Sequence, residues 1–71
     1  MDEGDRELME GMGNCYHACG ENFEETVGMV ARARGYTPEE VKTRLHRIRE
    51  ENGDTAEYRE LRARLPEDFP F

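Results

Sequence analysis

Apolar residues recur along this chain at helical intervals. Leu8, Met12, Cys15 and Cys19 fall at offsets of 0, 4, 7 and 11, which aligns them on one face of a helix beginning near Asp5 and ending near Ala18. Phe23, Val27, Val30 and Ala31 form a second such stripe. Val41, Leu45 and Ile48 form a third, and Tyr58, Leu61 and Leu65 a fourth. No segment alternates polar and apolar residues as a half-buried strand would. The pattern therefore predicts an all-α fold: a small bundle of three to four short helices containing a helix-turn-helix. A single domain spans residues 1–71, with 1–5 and 67–71 expected to fray.

Start and stop signals sharpen these boundaries. Gly11 and Gly13 weaken the first helix, each by up to about 1 kcal/mol relative to Ala, so it should depend on packing. Gly20 suits its end, and Asn22 suits the N-cap of the next, with Glu25 placed to complete a capping box. The second helix should run to about Arg34 and stop at Gly35. Thr37 caps the third, Pro38 takes the first helical position and Glu40 completes a second capping box. Tyr36 and Val41 occupy the staple positions around that cap, and Asn52-Gly53 ends the helix. Thr55 or Asp54 starts the fourth, which should run to about Arg64 before Pro66. Phe69 and Phe71 are expected to fold back on the core, because isolated aromatics on a loose tail have no compensating contact.

Charge changes this picture most at the centre. The net charge is −7 and the mean hydropathy −1.03, a polar balance that leaves a thin core. One cation, Arg6, stands against eight acids in residues 1–31, and three cations stand against seven acids in residues 50–71. Residues 32–49 reverse the sign, with Arg32, Arg34, Lys42, Arg44, Arg47 and Arg49 against Glu39 and Glu40. A basic centre between acidic flanks is either a binding surface or a segment neutralised on folding. Ala31, Gly35 and Val41 lie in the same stretch, at the spacing with which two helices of a helix-turn-helix pack: a small residue for close approach, a glycine for the turn and an apolar residue beneath it.

Val41 to Arg49, V-K-T-R-L-H-R-I-R, resembles the recognition helix in the DNA-binding region 4 of bacterial sigma factors, where V-K-S-R-L-H-R-A-R is typical. The likeness is close over nine residues and extends over about residues 25–49. It implies a second helix lying in the major groove, promoter recognition and contact with RNA polymerase. By this resemblance Lys42, Thr43, His46 and Arg47 would face DNA, with Arg49 near a phosphate. Arg32, Arg34 and Thr37 join them as candidate nucleic-acid contacts. The chain departs from the family at Arg34, where a bulky apolar residue is usual, and at Glu39 and Glu40, where small or polar residues open the helix.

Two functions stay open at this level. One is a small DNA-binding or transcription-associated protein, expected as a homodimer, with duplex DNA or a transcription component as partner. The other is an acidic protein-interaction module without nucleic-acid contact, with Phe69 and Phe71 as candidate docking residues. In the second case Arg44, Arg47 and Arg49 would pair with Glu40, Glu50 and Glu51 at helical spacing. Catalysis is not expected: the chain has no serine and no glycine-rich phosphate loop. No metal or other cofactor is expected either. His17 points away from the face shared by Cys15 and Cys19, whose C-x3-C spacing differs from the redox C-x2-C; two thiols buried in the core are expected instead. The acidic N-terminus has no apolar stretch behind it and is not a secretory signal, and reduced thiols fit a cytoplasmic setting.

Overall fold

The computed structural model describes residues 1–19 and 22–71, with only the backbone of Cys19 included. Its elements are α1 (Glu3–Cys19), α2 (Phe23–Arg34), α3 (Pro38–Asn52) and α4 (Ala56–Arg62), with no strand among the described residues. It is an all-α bundle of short helices. α1 packs against each of the other three, and α2 packs against α3. No helix among the described residues is long and apolar enough to cross a membrane.

The caps explain the boundaries. Asn22 accepts a hydrogen bond from the Glu25 N–H at 2.8 Å. The expected capping box at Asn22 is only half formed: the Glu25 side chain does not return the bond, and the Thr26 hydroxyl donates to the Asn22 carbonyl instead, at 2.8 Å. That bond also lets Thr26 sit fully buried in α2. The box at Thr37 is complete, with the Glu40 N–H donating to Thr37 Oγ1 at 3.1 Å and the Thr37 N–H donating to Glu40 Oε1 at 2.9 Å. Thr55 caps α4, which stops at Arg62, two residues before the expected end. The expected stop at Gly20 lies outside the described residues.

Gly53 ends α3 for a reason other than backbone freedom. Its φ of −56° suits any residue, but a Cβ there would lie 2.7 Å from the Arg49 carbonyl oxygen. The close approach, rather than a left-handed turn, requires glycine.

The core gathers one face from every helix. Met9, Met12, Val27, Val41, Leu45 and Ile48 have no exposed surface, and Tyr58, Leu61 and Leu65 close the bundle from below. Met9 belongs to this core although it lies beside the predicted stripe of α1. Cys15, a free thiol, is only partly buried and packs against the core edge. This corrects its expected burial, and the side chain of Cys19 lies outside the described residues.

Both end segments expected to fray are packed. Asp2 caps α1 through its Oδ1, which accepts from the Asp5 N–H at 2.8 Å, and Asp5 is buried. The Met1 amino group lies 3.8 Å from Glu57 Oε1. At the other end Phe69 and Phe71 are buried, and Phe69 meets Tyr16 and Phe23 edge-on, with ring centres 5.4 and 5.2 Å apart. Aromatic pairs in this geometry add stability beyond the area they bury.

Candidate nucleic-acid interface

The three-residue turn Gly35–Thr37 joins α2 to α3. Gly35 adopts φ +74°, a left-handed conformation that a side chain would strain, and its N–H reaches back to the Ala31 carbonyl. Ala31 is buried where the helices approach, and Val41 lies fully buried beneath the corner. The predicted spacing is therefore met by a helical corner with small, flexible and apolar residues in their expected places.

The charges on this corner are arranged differently from the expectation. Lys42 Nζ lies 3.0 Å from Glu24 Oε1 and 3.8 Å from Glu39 Oε1. The bond to Glu24 raises the ammonium pKa above the ordinary lysine value. Arg34 reaches Glu7 Oε2 at 3.3 Å and the Glu7 carbonyl at 3.1 Å. Arg47 holds Asp5 Oδ1 at 3.1 Å. Arg44 stacks on Tyr36, its guanidinium 4.5 Å from the ring centre. The pairing expected within α3, of Arg44, Arg47 and Arg49 with Glu40, Glu50 and Glu51, does not form as ion pairs within 4 Å among the described residues. Asp5 of α1 takes Arg47 and Glu24 of α2 takes Lys42, because the fold brings those helices against α3, while Glu7 of α1 takes Arg34 of α2.

Lys42 thus bridges Glu24, in the first turn of α2, and Glu39, in the first turn of α3. Glu24, Glu25, Glu39 and Glu40 all stand exposed in those first turns. Carboxylates are favoured there by the partial positive charge of helix N-termini. Glu40 is held below the ordinary carboxylate range, first by the Thr37 backbone N–H and then by the Thr37 hydroxyl.

The remaining candidates divide. Thr43 and His46 are exposed on α3, whereas the Thr37 hydroxyl is occupied by its cap. Arg32 and Arg49 are exposed and have no ion pair among the described residues, but they stand on different helices. Phe69 and Phe71 are core residues rather than exposed docking residues. Among the described residues no three His, Cys, Asp or Glu side chains gather as a metal site. Sequence reasoning missed Arg59 and Arg62, which it counted only as charges in an acidic segment. Their spacing of three on a helix, beside Tyr58, was the signal that both line one surface.

No family model matches the chain, and no curated protein or solved structure matches it.

Proposed function

We propose that the chain is an acidic protein-interaction module, in which the helical corner faces a protein partner and α3 makes no contact with nucleic acid. The observation that carries this is the pairing of Arg34, Lys42 and Arg47 with Glu7, Glu24 and Asp5. DNA affinity comes largely from cations that displace counterions from phosphates. Exposed ion pairs contribute only about 0–1 kcal/mol each, so a phosphate could displace a carboxylate. At Lys42 the displaced Glu24 carboxylate would nonetheless stay close by, with Glu39, and face the phosphates. In a chain of net charge −7 this opposes binding. The same distribution suits a partner with a cationic surface.

DNA binding in a transcription-associated role is the second reading. It is favoured by the Ala31, Gly35 and Val41 corner and by exposed Thr43 and His46. A photo-crosslinking residue at Thr43, introduced in cells of the native host, separates the two. Protein interaction gives an adduct sensitive to protease and resistant to nuclease. Titration of the purified chain into labelled duplex DNA at low salt should then leave the anisotropy unchanged. A nuclease-sensitive adduct, or saturable DNA binding weakened by Lys42→Ala, would overturn the proposal.

A further inference from the structure

A second cationic surface lies away from the corner. The last turn of α3, the outer side of α4 and the tail enclose an open groove of about 610 Å³. Small-molecule sites span roughly 300–1,000 Å³ and combine an apolar surface with a few converging polar groups. Here Ala63 and Pro70, both exposed, supply the apolar surface, floored by the buried Tyr58, Leu65 and Phe71, and Arg49, Arg59 and Arg62 supply the polar groups. We propose that this groove binds a small organic anion, its charged head held by Arg49 and Arg59 and its apolar body resting on Ala63 and Pro70 above the buried Phe71.

The gathering of three arginines without a carboxylate partner on one groove carries the assignment. Arg34, Lys42 and Arg47 each have a side-chain carboxylate within 4 Å, whereas Arg49, Arg59 and Arg62 have none among the described residues. Arg59 spends one donor on the Asp54 carbonyl, at 3.0 Å. The Arg49 guanidinium makes no hydrogen bond among the described residues. A guanidinium carries five N–H donors in a fixed fork suited to carboxylate or phosphate, so both arginines keep most of their capacity. Glu67 is the acidic side chain on the groove wall, and it lies beyond ion-pair distance of all three.

Arg62 acts as a positioning residue. It donates to the oxygens of Phe71, Pro66 and Phe69 at 3.3, 2.9 and 3.0 Å, and its guanidinium lies 4.8 Å from the Phe71 ring centre. These bonds fix the tail as one wall. The wall exists before any ligand arrives, so little ordering is needed on binding.

The test is an amide NMR titration of the isotope-labelled full chain with phenyl phosphate. Two further probes separate its parts: inorganic phosphate has the charge without the body, and benzyl alcohol the body without the charge. Phenyl phosphate should give saturable shifts at Arg49 and across residues 56–71. Each partial probe should bind at least about fivefold more weakly, as expected when a charge-assisted contact or the apolar contact is lost. The double variant Arg49→Gln, Arg59→Gln should weaken phenyl phosphate by about tenfold with the helical circular dichroism unchanged. Absence of saturable shifts, shifts centred on Arg32 and Arg34, equal binding of inorganic phosphate, or full affinity in the folded double variant would overturn the proposal. It stands independently of whether the partner of the corner is protein or DNA.

Discussion

The corner of α2 and α3 and the frame of α1, α4 and the tail are stabilised by different means. The corner is specified locally. Its caps lie within a few residues of the turns they close, and its left-handed glycine sits where a turn needs one. The frame is specified by distant contacts. α1 carries Gly11 and Gly13 in its interior, α4 is seven residues long, and neither would be stable alone in water. Phe69 against Tyr16 and Arg47 against Asp5 join positions far apart in sequence, and Arg62 holds the tail back on α4. The charges follow the same division. Carboxylates from α1 and from the first turn of α2 neutralise the corner's Arg34, Lys42 and Arg47, while Arg49, Arg59 and Arg62, which line the tail groove together, have no such partner among the described residues. Arg32 and Arg44 of the basic segment also lack an ion pair among the described residues, but they stand on different helices.

The sharpest way to break this comparison is to remove an aromatic anchor from the tail. If the frame depends on the tail, Phe69→Ala should cost about 3 kcal/mol, as much as Leu45→Ala at the centre of the bundle. Urea unfolding followed by circular dichroism measures both. Domains of this size hold roughly 5 kcal/mol of stability or little more, so either variant should be close to unfolding at physiological temperature. A cost for Phe69→Ala below about 1 kcal/mol, within the range of ordinary surface substitutions, would mean that the tail only decorates a frame closed by other contacts.

Arg62→Lys sharpens the same point with a smaller effect. Lysine keeps the charge and much of the apolar stem, but an ammonium cannot span the oxygens of Pro66, Phe69 and Phe71 as the planar fork does. A loss of about 2 kcal/mol is expected, given what hydrogen bonds to charged groups contribute. Thermal unfolding should show it as a fall in Tm on the order of 10 °C for a domain this small. Full stability in Arg62→Lys would show that charge alone secures the tail.

Sequence pattern exposed the corner far better than the frame, for a physical reason. Capping residues, Pro38 and Gly35 act within one turn, so their meaning is visible in adjacent letters. The partners of Arg34 and Arg47 depend on how helices cross, and those of Arg62 on how the tail folds back, which no local pattern encodes. Helical spacing within α3 suggested Glu40, Glu50 and Glu51 as carboxylate partners for its arginines, yet Arg47 found Asp5 across the bundle. Met9 was missed because a stripe drawn at 3.6-residue spacing is narrower than the face α1 buries against three neighbours. Thr26 was missed because its polar side chain is buried only by virtue of its bond to the Asn22 carbonyl. The tail groove was illegible because its walls come from three separate segments.

The smallest expected effects test the corner. Thr37→Ala removes the hydroxyl that accepts from Glu40 N–H and should cost about 1 kcal/mol, a loss confined to the start of α3. The same box gives the corner a pH dependence. The pKa of Glu40 is lower folded than unfolded, because the Thr37 N–H and hydroxyl stabilise its charged form. Its contribution is therefore complete above the ordinary glutamate pKa and is lost as pH falls through the depressed value. Lys42 has the opposite sign: its pKa is raised by Glu24, so its contribution is present below the ordinary lysine pKa and lost as pH rises through the raised value. Glu40→Gln keeps an oxygen that can accept from Thr37 but does not titrate. Urea unfolding of parent and variant from neutral pH into the carboxylate range should show the parent losing more stability on the acid side, with the two curves converging at the lowest pH. Parallel curves would mean that Glu40 caps α3 by geometry alone and that its charge contributes nothing to the corner.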